Sequence, residues 1–149
     1  MKWIAAILLT FSSFSGLRAQ CDADVREAFG GVSSIMVYNT YITVGAIADA
    51  YVNKVYDADR VKELMGEQTA MLKSVITMLE KCKVAKSNGL SSDDVGYIKD
   101  LIACMEFLQE EAQGLSDYAE TGASDAQNRY NTNRDKAWEK VKGLLGLGE

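Results

Sequence analysis

The sequence predicts an all-α protein, an up-down-up-down four-helix bundle behind a cleaved N-terminal signal peptide. Three observations predict it. The 149 residues contain no proline, which suits long uninterrupted helices. Behind an apolar leader, apolar residues recur at three- and four-residue steps in stretches separated by short polar punctuation. No stretch alternates with the period of two that a half-buried strand requires. At this length one domain is expected, here residues 20–149, with residues 1–19 as the signal.

The leader comes first. Lys2 is a basic n-region, Trp3 to Phe14 an apolar h-region, and Leu17-Arg18-Ala19 a cleavage site ending on a small residue. The expected address is secreted or periplasmic. Cleavage removes two of the 16 basic groups, Lys2 and Arg18, and leaves 14 against 21 acidic ones, a charge of −7 in place of −5. Cys21 follows the leader closely enough to suggest a lipid anchor. Gln20 before it and Arg18 three before it fit that chemistry poorly, so membrane association is expected only if Cys21 is lipidated.

The first helix is expected over Asp22 to Tyr56. It carries no charged side chain from Ala28 to Ala48, yet Ser33, Ser34, Asn39, Thr40 and Thr43 weigh against a membrane span. Ser33, Val37, Thr40 and Val44 share one face, with Ile35, Ile42 and Ala46 opposite. The more apolar Ile35 stripe is expected inside. That leaves Val37 and Val44 outward, as a contact surface for a protein partner or a second copy.

The second helix is expected over Ala58 to Lys86, with Asp57 able to cap it. Its stripe runs Val61, Leu64, Gln68, Met71, Val75, Met78 and Cys82, widened by Met65, Leu72, Ile76 and Leu79. Neither glycine nor proline marks its start, so a kinked continuation of the first helix is the alternative. Ser87-Asn88-Gly89 marks its end. The third helix opens on a capping box, Ser91 with Asp94, and carries the stripe Ile98, Leu101, Met105, Leu108, Ala112, Leu115 and Ala119. Thr121-Gly122 closes it. Ser124 with Gln127 reads as a second capping box, opening a fourth helix to about Leu145 with Ala126, Tyr130, Ala137, Val141 and Leu144 inward.

Composition narrows function. The chain has no histidine, which removes His-based triads and His-ligated metals. An acidic chain with pI ≈ 4.8 is not an electrostatic nucleic-acid binder. No metal ligand set, phosphate loop or nucleophile elbow occurs, so neither an enzyme nor a cofactor is expected. Asp93-Asp94 is explained by the positive end of a helix, and Glu110-Glu111 is placed on the polar side of the third helix. Cys21, Cys82 and Cys104 are an odd set for an oxidising compartment. Cys82–Cys104 and Cys21–Cys82 are comparable pairings, against buried apolar thiols at Cys82 and Cys104.

Packing alone leaves one set of residues unexplained: Tyr38 and Tyr41 on the first helix, and Tyr130, Arg134 and Trp138 on the fourth. They suggest a polar aromatic pocket between these helices, with Arg134 placed for an anion. The structural alternative has tyrosines straddling the bundle edge and Arg134 stacked on Trp138 or paired with an acid. Two functions therefore remain open. One is a non-enzymatic interaction or self-association protein using helix one; the other is a small-ligand sensor or carrier.

Overall fold

The computed structural model describes the backbone of residues 4–84 and 89–147 and the side chains of residues 24–83 and 89–147. Among the described residues there are four helices and no strand: α1 (Ile4–Val52), α2 (Ala58–Val84), α3 (Ser92–Thr121) and α4 (Ser124–Leu145). The side chains at the expected cleavage site, Ala19, and at Cys21 lie outside the described residues, as do Ser87 and Asn88.

The chain divides into two compact units, residues 1–33 and 34–149. In the first, the helix is continuous from Ile4, and the Ser33 hydroxyl donates to the carbonyls of Phe29 at 2.7 Å and Gly30 at 3.1 Å. That back-bonding satisfies the hydroxyl within its own helix. By length and composition alone, the part of α1 from Asp24 to Val52 could cross a membrane; a third of its 18-residue apolar stretch is buried.

The second unit holds the bundle interior, built around α3, which packs against both α2 and α4. One apolar cluster joins Val37 of α1 with Leu72, Leu101, Met105, Leu108 and Val141. A second joins Val44, Ile47 and Ala48 with Val61, Met65, Ala112 and Leu115. The whole expected stripe of α3 is buried, from Ile98 to Ala119. Cross-helix pairs step in opposite chain directions along α3 and α4: Asp100 with Lys140, Glu111 with Arg134, Asp117 with Arg129.

The helix ends follow local chemistry. Asp57 accepts from the Arg60 amide at 2.9 Å and caps α2. α1 stops without glycine because Lys54 takes the left-handed conformation, φ 60°. Ser91 and Asp94 form the reciprocal capping box, and Gly122 closes α3 at φ 66°. The second box is absent. Ala123 is the N-cap of α4, Ser124 is already helical, and no side chain caps this end.

Three further expectations are corrected. Val37 and Val44 are fully buried, whereas Ile35 and Ile42 are 56% and 47% exposed, so α1 is turned the other way and neither valine is a contact surface. Hydropathy favours the Ile35 stripe, yet the stripe that carries Ser33 and Thr40 beside the two valines is the one turned inward. The inner side is the one on which Tyr41 and Gly45 stand one turn apart, facing Arg134. On α2, Val61, Met65, Leu72 and Leu79 form the buried seam, and Met71 and Met78 point out. The thiols of Cys82 and Cys104 are not joined: Cys82 is exposed and Cys104 buried. Desolvation pushes the Cys104 thiol up to about 12, so it behaves as a small apolar residue.

Candidate functional site

Four of the five aromatic and cationic residues singled out in the sequence meet inside the second unit. Tyr130, Arg134 and Trp138 recur every four residues and share one face of α4. Arg134 reaches across to α1, where its guanidinium carbon lies 4.1 Å from the centre of the Tyr41 ring. Its Nη1 donates to the Tyr41 carbonyl at 3.3 Å. Tyr41 in turn stacks on Trp138, with centroids 5.2 Å apart and planes 25° from parallel. The guanidinium is thus held against Tyr41, and the indole covers that ring by stacking. Tyr38 is exposed and takes no part in these contacts.

The partner of Arg134 is Glu111 of α3, at 2.7 Å. Glu111 is fully buried, which corrects its placement on the polar side of that helix. The spacing contains the signal that reveals it: Leu101, Cys104, Leu108, Glu111 and Leu115 follow steps of three, four, three and four, and all are buried. An acid in that register faces the core whatever its polarity. The pair has two unequal oxygens. Oε1 accepts from Arg134, while Oε2 has no hydrogen-bond partner among the described residues.

Two glycines allow these groups to meet. A Cβ on Gly45 would stand 2.5 Å from Nη2 of Arg134, so the guanidinium occupies the space a side chain would take. A Cβ on Gly114 would stand 2.6 Å from the Tyr130 amide nitrogen, so α3 and α4 approach backbone to backbone one turn from Glu111. Neither glycine stands out in the sequence, because a glycine inside a helix reveals its role only when its neighbour is known.

Burial sets the electrostatics. Desolvation raises the Glu111 carboxyl to about 7, against the opposing pull of the Arg134 hydrogen bond and charge. Burial also lowers the Arg134 pKa, but Glu111 and the two tyrosines more than offset it, and the guanidinium stays charged. Desolvation likewise raises Tyr130, to about 12, and Tyr41. These phenols are neutral hydrogen-bonding groups at any physiological pH. Arg134 therefore meets a carboxylate of its own chain, and the cluster ties α1, α3 and α4 together.

A separate cleft of about 630 Å³ opens along α3 and α4, with Tyr97, Phe107 and Leu144 as apolar walls. Asp100 and Lys140 on its lining pair with each other at 2.7 Å, and Glu139 pairs with Lys142 at 2.8 Å. Lys136 lies over the Phe107 ring at 5.6 Å. Among the described residues no cluster of three acidic or thiol groups could hold a metal ion. Compared with protein-family models, curated proteins and solved structures, the chain matches none.

Proposed function

We propose that the protein is exported and works without catalysis, as an up-down-up-down helical bundle that engages another protein through the outer face of α1. The basic, apolar and small-residue order of residues 1–19 supports export into a secreted or periplasmic space. The opposed stepping of ion pairs along α3 and α4 supports the bundle order. One observation carries the interaction reading. Ile35, Tyr38 and Ile42 are 56%, 37% and 47% exposed, within a stretch that holds no charged side chain from Ala28 to Ala48. A helix that faces only water normally carries charge on its outer side.

The test is crosslinking in the host cell. With p-benzoylphenylalanine in place of Tyr38, illumination is expected to yield a covalent protein adduct. The same group in place of Glu67, exposed on α2, is the control and should yield none. Absence of an adduct from position 38 overturns the reading. Mass spectrometry of the exported chain tests the address: an N-terminus at Gln20 is expected, and recovery of Met1 refutes cleavage.

The cleft beside Phe107 favours a second reading, a carrier for a small amphiphile. Asp100 and Glu139 are each paired with a lysine, while Lys136 makes no ion pair among the described residues and lies over an aromatic floor. Decanoate is expected to bind more tightly than decanol in calorimetry. Equal or no binding of the two removes this reading.

A further inference from the structure

We infer that the partner on the outer face of α1 is a second copy of this chain, meeting it in an isologous contact whose two-fold axis passes beside Asn39. The inference rests on the interaction reading above and names its partner. Ile35, Asn39, Ile42 and Ala46 are all exposed and follow steps of four, three and four. That is the spacing of a seam between two helices, in which one line of side chains meets an equivalent line on its neighbour.

Charge selects the occupant. The chain is acidic overall, −5 as written, so two copies repel wherever their charged surfaces face each other. The outer face of α2 illustrates the obstacle: its exposed Met71 and Met78 share the helix with exposed Glu67, Lys73 and Lys81. The α1 face lets like chains approach with no formal charge opposed. Nor does it offer the acidic groups that a basic partner would pair with, or the basic groups that an acidic one would seek.

Asn39 sharpens the choice. It lies in the middle of the apolar line, is exposed, and its side chain makes no hydrogen bond among the described residues. Covered by an apolar surface of another protein, its amide would be buried without a partner. Covered by its own copy across a two-fold axis, each amide meets an equal group that both donates and accepts, so the pair satisfies itself. A single polar residue in an apolar seam is also what fixes register and limits assembly to a defined number of chains.

The experiment is light scattering on the purified exported chain over a range of concentrations, combined with the mass of the Tyr38 crosslinked adduct. A dimer and an adduct of two chain masses are expected. Ile35→Lys and Ile42→Lys are expected to give monomers with unchanged helical circular dichroism. Asn39→Asp, nearly the same shape, places two carboxylates at the axis. It should weaken the dimer at least about tenfold at neutral pH and recover on acidification. A monomer at every concentration, with an adduct of a different mass, overturns this inference while leaving the interaction reading intact. Loss of the adduct defeats both. A dimer indifferent to all three substitutions places the contact elsewhere and also overturns the inference.

Discussion

Leu108 and Glu111 are neighbours on α3, one turn apart, and both are fully buried. They are buried for opposite reasons. Leu108 sits among Val37, Leu101, Met105 and Val141, where removal from water is itself favourable. Glu111 is driven out of water at a cost, offset in part by one hydrogen bond to Arg134 and by the charge of the guanidinium. Equal burial therefore does not mean equal contribution. At Leu108 the cost of a substitution is a cavity, whereas at Glu111 it is an uncompensated charge.

Substitutions at the two levels can separate these mechanisms. The largest effect is expected from Arg134→Met, which leaves Glu111 buried without its cation. A loss of about 3–5 kcal/mol in denaturant unfolding is expected. Pairing it with Glu111→Leu should recover most of that loss, because the double variant buries no charge at all; failure to recover would mean that Arg134 acts through packing on Tyr41. Leu108→Ala is next, at about 2–5 kcal/mol, the range for truncating a buried leucine. A loss below about half a kcal/mol would put the α3 stripe at the surface.

The pH dependence distinguishes the two levels without comparing sizes. The folded Glu111 carboxyl titrates at about 7, above its ordinary 4.5, so the folded state binds the proton more tightly than the unfolded one. Its contribution is fully present below about pH 4.5 and is lost as pH rises through 7. Unfolding free energy is expected to fall by roughly 1–3 kcal/mol between pH 5 and 8. Glu111→Gln should flatten that slope, and Leu108→Ala should leave it unchanged. An unaltered slope in Glu111→Gln would assign the titration to another group. The smallest effect belongs outside both levels: Ser91→Ala removes the cap of α3 and should cost about 1 kcal/mol in thermal unfolding.

Local and periodic features were readable from the chain itself. Steps of three and four along α3 put Ile98, Leu101, Met105, Leu108, Ala112, Leu115 and Ala119 inside, because a helical period places them all on one side. Ser91 with Asp94, and Gly122, mark the ends of that helix through bonds made within a few residues. The common face of Tyr130, Arg134 and Trp138 is legible for the same reason.

Tertiary structure decided what a single helix leaves undetermined. Periodicity sorts residues into faces, but on α1 the more apolar face is the one left outside. Val37 and Val44 face inward on the same side as Tyr41 and Gly45, which fit against Arg134, and Ile35 and Ile42 face outward. Tertiary structure likewise chose Glu111 as the acid for Arg134, 23 residues distant in the chain. An ion pair between helices depends on their relative placement, which no pattern within either helix contains.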